Sequence, residues 1–289
     1  MSGEIAFTNT ALESFATLVT FVLLFACIAK IKMQRGIKHV TSKNAKRNTL
    51  DYILIIWLVI HMIVLTADVL SWMAMDFGKN EVWLLFMLNL TFTCLSLECM
   101  VYTYYVKETI YQHEMIGNTY VYLVMLSTVI AIILWITSDI SGKFYYLDTQ
   151  GNYTQGSMYW LCQFYCIIVM CGNIVILLKH RKALVRHDVL SLLMYGLIPI
   201  ASIPAQMLWK STTFNLATTL ALIYICISVH MAQYDRIVEQ EKILIQQKHE
   251  LSMNQMQMMI AQIQPHFLYN SLTALAQLCS KDPKEAKKA

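Results

Sequence analysis

Seven apolar stretches alternate with short polar breaks along residues 1–232, and a polar, heptad-like segment follows them. The stretches run Leu12 to Ile31, Tyr52 to Met75, Val82 to Val106, Thr119 to Ile140, Met158 to Leu178, Val189 to Trp209 and Phe214 to Ala232. Each approaches or exceeds the roughly 20 residues that carry a helix across a bilayer. None has the period-2 alternation of a barrel strand. Hydrocarbon offers no partner to an open backbone, so each stretch is predicted as a closed helix. The expected fold class is an all-α membrane protein with seven transmembrane helices.

Between Pro204 and Pro265 the chain contains neither glycine nor proline. The seventh span is therefore predicted to run on as one helix through the polar segment, which adds about 50 Å at 1.5 Å per residue. Ile237, Leu244, Leu251 and Met258 recur every seven residues, flanked by Val238, Ile245 and Met259. That is one layer of a coiled-coil seam. The other layer, Glu241, Lys248 and Gln255, is polar, so pairing is expected to be weak. A weak seam suits a solvated linker helix, and it equally suits a transmitter that switches between two packings.

Composition agrees with lipid as the solvent. The chain is 57% hydrophobic and 14% charged, with a mean hydropathy of +0.50, where soluble domains carry about a quarter charged residues. The formal charge of +4 gives no reason to expect a nucleic-acid partner, and the placement of the cations matters more than their sum. The odd-numbered loops hold Lys32, Arg35, Lys38, Lys43, Lys46, Arg47, Lys107, Lys179, Arg181, Lys182 and Arg186. The even-numbered loops hold Lys79, Lys143 and Lys210. Eleven against three places the odd loops inside. The expected topology is multi-pass, with the N-terminus outside and the C-terminus in the cytoplasm.

The first ten residues carry Glu4 and no basic residue, so no cleaved leader is expected. The eight cysteines sit in apolar runs or in the tail, which suggests no disulfide framework. Cys162, Cys166 and Cys171 read as helix-packing residues rather than as a metal or redox cluster. The one sizeable outer loop, Ser141 to Ser157, is expected to keep Phe144, Tyr145, Tyr146 and Tyr153 near the membrane surface, with glycines marking turns. Its Asn152-Tyr153-Thr154 matches a glycosylation sequon, which has no meaning in a bacterium.

Polar side chains inside a span are expensive and invite a functional reading. The second span carries His61 and Asp68, seven residues apart and so on one face. The third carries Asn89 and Glu98. Counted from the same membrane face, His61 lies level with Glu98 and Asp68 level with Asn89. Two contacts are therefore predicted across this hairpin, His61–Glu98 and Asp68–Asn89, either as sensing groups or as hydrogen bonds that hold two helices together. In the sixth span, Pro199 and Pro204 free backbone carbonyls and Gln206 follows. The resulting kink would shape a ligand pocket, form a hinge or simply assist packing.

The most informative string is Gln262-Ile263-Gln264-Pro265-His266-Phe267-Leu268-Tyr269-Asn270-Ser271-Leu272. A neutral imidazole is a competent nucleophile toward the γ-phosphate of ATP. A helix sets Asn270 one turn from His266, able to orient the ring, a phosphoryl oxygen or a water. Pro265 is expected to break the hydrogen-bond ladder beside His266 and so to expose it. The string resembles the H-box of bacterial sensor histidine kinases of the Pro-His-Phe type, which include the autolysis-regulating sensors. That resemblance implies His266 as the autophosphorylated residue, a homodimer, a response regulator as partner, and ATP and magnesium bound by a catalytic domain. Phe267, not an acid, follows the histidine, so no adjacent carboxylate serves as general base. The seven-span region, with its Ile-Pro-Ile-Ala-Ser-Ile-Pro-Ala-Gln segment, resembles input modules of Gram-positive bacteria that precede histidine kinases or diguanylate cyclases.

The expected organisation is a sensor domain at 1–232, a signalling helix at 233–260, and the start of a dimerisation and phosphotransfer domain at 261–289. No glycine-rich nucleotide loop occurs. The sequence is therefore expected to bind no cofactor itself, being either a portion of a longer kinase or an acceptor served by another chain. A seven-helix receptor or a transporter-like protein without phosphotransfer is the alternative reading. A transporter predicts inverted repeats, which are not apparent.

Overall fold

The computed structural model describes residues 3–35, 42–77, 81–112, 114–148, 153–209 and 212–281. Asn152 of the sequon, the loop cations Lys38, Lys79 and Lys210, and Asp282-Pro283 lie outside them. The chain divides into a unit at Met1–Val229 and a second at His230–Ala289, and one helix passes through both.

In the first unit, α1 (Gly3–Arg35), α2 (Ser42–Phe77), α3 (Glu81–Tyr111), α4 (Thr119–Ile136), α6 (Trp160–His180), α7 (Arg186–Trp209) and the first part of α8 (Thr213–Lys281) contain seven candidate membrane spans. The short helix α5 (Ser138–Ser141) and the strands β1 (Tyr145–Leu147) and β2 (Tyr153–Gln155) lie between α4 and α6. The protein is an all-α membrane protein apart from this small hairpin. Helix α2 packs between α1 and α3, α3 also touches α4 and α6, and α6 packs on α7. Hydroxyls within the apolar helices find partners locally. Thr20, Ser71, Thr103, Thr109 and Thr128 each donate to the carbonyl four residues back, which satisfies them without any aqueous partner.

The core centres on an aromatic group from α2, α3 and α7. Trp57, Tyr102 and Tyr195 are fully buried, with Trp57–Tyr195 and Tyr102–Tyr195 ring centroids 4.5 and 4.7 Å apart. The Tyr102 hydroxyl donates to the Leu192 carbonyl at 2.8 Å. Helix α7 passes through Pro199 and Pro204 without a break.

Two sequence expectations are corrected at the end of the bundle between α4 and α6. The fourth span ends at Ile136 rather than Ile140, because Thr137 caps α4 and a separate turn, α5, closes on Gly142 in the left-handed conformation (φ 61°). The loop that follows is a structured antiparallel hairpin, with Tyr145 opposite Gln155 and Leu147 opposite Tyr153. Its aromatics do not all stay at a surface. Phe144 and Tyr145 are buried, while Tyr146 is exposed. Ser138 organises the entry: its hydroxyl donates to the Tyr145 carbonyl at 2.8 Å and accepts from the Tyr145 amide at 2.9 Å. Phe92 of α3 stacks on Tyr145 with centroids 5.0 Å apart, and Phe144 meets Trp135 edge-on at the same distance.

Gly156 closes the hairpin by donating to the Phe144 carbonyl at 2.9 Å. A Cβ there would sit 2.3 Å from the Lys143 carbonyl oxygen and 2.6 Å from that of Gly142. Backbone cannot yield as a side-chain tip would. Gly156→Ala is therefore expected to destabilise the hairpin by about 1 to 3 kcal/mol, read as faster limited proteolysis between Gly142 and Met158. Unchanged cleavage would show that this turn tolerates a side chain.

The described part of the second unit is the remainder of α8, which continues through Pro265 to Lys281. Ile237, Leu244, Leu251 and Met258 are all exposed on the single chain.

Candidate functional site

The membrane unit gathers buried polar groups at two levels along α2. At the first, His61 and Glu98 are each about 1% exposed or less. His61 Nδ1 lies 2.7 Å from Glu98 Oε1, so the expected contact is present. The other ring nitrogen reaches a third helix, with Nε2 2.9 Å from Thr219 Oγ1 on α8. The Thr219 hydroxyl donates to the Asn215 carbonyl at 2.8 Å, and its oxygen accepts from Nε2–H. One histidine thus connects α2, α3 and α8.

At the second level the predicted Asp68–Asn89 contact is replaced by two separate ones. Asn215 of α8 uses both hydrogens of Nδ2, one toward Asp68 Oδ2 at 2.8 Å and one toward Glu13 Oε1 of α1 at 2.9 Å. Asn89 instead accepts from the Tyr145 hydroxyl of the hairpin. Matching depth on a helical hairpin does not fix azimuth. Asp68 faces α1 and α8, whereas Asn89 faces the β1 plug. Glu13 is fully buried. Near this level burial lifts the hydroxyls of Tyr153 and Tyr159 above their ordinary range, and the Asp68 charge adds to the effect. Both are therefore neutral phenols. Gln206, the remaining candidate, is half-buried on α7, and its Oε1 is buried without a hydrogen-bond partner.

Sequence reading missed Glu13, Asn215 and Thr219. Glu13 lies one residue inside the stretch counted from Leu12, and the span itself begins at Phe7, so an apparent border acid is an interior one. Asn215 and Thr219 lie one turn apart at the start of the seventh span, where a four-residue spacing of polar groups on one face was the available signal. Away from these levels, Lys30 of α1 and Asp51 of α2 form a buried ion pair at 2.6 Å. Asn173 of α6 donates to Thr103 Oγ1 of α3 at 2.9 Å. Among the described residues, no group of three or more His, Cys, Asp or Glu side chains is placed to hold a metal. All eight cysteines are free.

In the second unit, His266 and Asn270 are exposed on α8, as are Phe267, Leu268 and Tyr269. Asn270 Nδ2 lies 3.2 Å from His266 Nδ1 and 3.4 Å from Nε2. The amide lies within hydrogen-bonding reach of either ring nitrogen. Donation to one fixes the N–H on the other, so Asn270 can select the tautomer while the ring stays open to an incoming phosphoryl group.

Residues 254–289 match the histidine kinase family model. This segment contains both His266 and Asn270. No curated protein matches the chain. The family match and the seven apolar helices together support a membrane histidine-kinase sensor.

Proposed function

We propose that this chain is the sensing, transmitting and phosphoacceptor part of a bacterial two-component sensor histidine kinase of the Pro-His-Phe type. The carrying observation is the exposed His266, one helical turn from Asn270, inside the segment matched by the histidine kinase family. The seven-span unit receives an external or membrane stimulus. Its N-terminus lies outside and its C-terminus in the cytoplasm, as the placement of Lys and Arg favours. The exposed seam through Ile237, Leu244, Leu251 and Met258 receives a second copy of the chain, since an apolar stripe of that period is otherwise left in water.

At the acceptor, a ring nitrogen of His266 attacks the γ-phosphorus of ATP. An N–P bond forms, the bridging β–γ P–O bond breaks, and ADP leaves. The phosphoryl group then passes to a response regulator. No glycine follows Gly196 in the sequence, so the acceptor segment offers no glycine-rich nucleotide loop. ATP and magnesium are accordingly assigned to a catalytic domain outside these residues, in the same chain or another.

The test uses membranes containing the natural gene product, incubated with ATP labelled in the γ-phosphate. The expected label is acid-labile and alkali-stable, and mass spectrometry maps it to His266. No incorporation, or label mapped to Ser271 or Tyr269, would overturn the reading.

A further inference from the structure

Two buried polar clamps hold α8 inside the membrane unit, and both use side chains on one of its faces. Asn215 bridges Glu13 of α1 and Asp68 of α2, and Thr219, one turn on, meets the His61–Glu98 pair of α2 and α3. Cys226, seven residues beyond Thr219 and on the same face, shares a buried core cluster with Cys27 of α1. The two clamps are joined through the backbone, because the Thr219 hydroxyl donates to the Asn215 carbonyl.

Ordinary packing glue would suffice to hold a span in place, but three features go further. First, the partners are the most costly groups to leave unpaired in lipid: two carboxylates on the first clamp, and a histidine with a carboxylate on the second. A small rotation or shift of α8 removes their donors or acceptors together, so intermediate positions are penalised and the helix is biased toward discrete ones. Second, the first clamp sets two acidic side chains, Glu13 and Asp68, on one amide nitrogen, so displacing Asn215 strips a donor from both at once. Third, the clamped helix is the one that carries His266, without a break between.

We propose that Asn215 and Thr219 form a latch through which the membrane core sets the position of α8 and so the phosphorylation of His266. The inference rests on the phosphoacceptor reading above and adds its regulation. With both clamps closed, α8 holds one register. A stimulus that withdraws Asp68 or His61 from α8 opens the latch, and the helix shifts to another register.

The native Cys27–Cys226 pair supplies a probe of that register which does not depend on phosphotransfer. In native membranes containing the natural protein, mild oxidation would link the two thiols, and the linked peptide would be counted by mass spectrometry. Thr219→Val removes the hydroxyl at nearly constant volume, and Thr219→Ser restores it. Asn215→Leu breaks the other clamp. The latch predicts that Thr219→Val and Asn215→Leu each change the Cys27–Cys226 yield at least about twofold. They also change His266 labelling roughly threefold or more in a common direction, while Thr219→Ser stays at the wild-type level in both measurements. Unmoved crosslinking, or moved crosslinking with unmoved labelling at equal membrane content, overturns the latch. A wild-type protein that takes no label on His266 overturns the phosphoacceptor reading and the latch with it. Labelled wild type with unmoved variants overturns the latch alone.

Discussion

Glu98→Leu is expected to cost about 3 to 5 kcal/mol of stability, the range found when one partner of a buried pair is removed. Both groups are essentially inaccessible, and Nδ1 and Oε1 are 2.7 Å apart. Loss of Glu98 leaves one ring nitrogen of His61 in an apolar interior without that partner. Glu98→Gln keeps an acceptor at nearly the same position and should cost less. The paired change His61→Leu with Glu98→Leu removes both polar groups and should recover much of the loss, because neither is then stranded. Thermal unfolding of the purified protein in detergent, arranged as a double-mutant cycle, gives the coupling directly. Additive single effects would mean that the 2.7 Å contact contributes nothing of its own.

The same pair shows how far a linear reading reaches. His61 and Glu98 were identified by depth alone. Depth sufficed because α2 and α3 are joined by a short connection and pack as antiparallel neighbours. The identical argument failed for Asp68 and Asn89. Their levels agree, but each side chain points to a different third element: α8 for Asp68, the β1 strand for Asn89. Sequence spacing encodes height along a helix and angle around it, but not which neighbour stands at that angle. The spacing of Asn215 and Thr219 puts them on one face of α8, but their partners lie 147 and 158 residues away in sequence and spacing cannot name them.

Long elements were legible and short ones were not. Each of the seven spans is specified many times over by its own apolar residues, so the expected bounds differ from the observed ones by a few residues. The hairpin depends on few interactions: a serine hydroxyl at position 138, a left-handed glycine at 142, and a glycine at 156 that only backbone crowding requires. Tyr145 looked like an interfacial aromatic. In the structure it fills a space between Phe92, Trp135 and Asn89, and its hydroxyl finds a partner there, which is what lets a tyrosine be buried. Helices α7 and α8 carry Pro199, Pro204 and Pro265 without ending.

His266→Gln is expected to reduce phosphoryl incorporation to background, the largest effect foreseen for any single change. Glutamine keeps a polar side chain and suits a helix interior, so α8 should persist while the ring nucleophile is gone. Asn270→Ala tests a different role. The amide contacts the ring from 3.2 Å, so Asn270 is assigned as a positioning residue. Losing it frees the ring to rotate and to exchange tautomers. A misaligned nucleophile typically costs up to a hundredfold in rate, and a roughly tenfold to hundredfold fall in the initial rate of labelling is expected. If the amide acts only on the ring, the concentration of ATP at half-maximal rate should stay where it is while the maximal rate drops. A change confined to the ATP dependence would instead place Asn270 against the nucleotide. Full labelling of Asn270→Ala would reduce it to a surface residue one turn from the acceptor. Label persisting in His266→Gln would move the acceptor elsewhere and remove the basis for linking the seven-span unit to phosphotransfer.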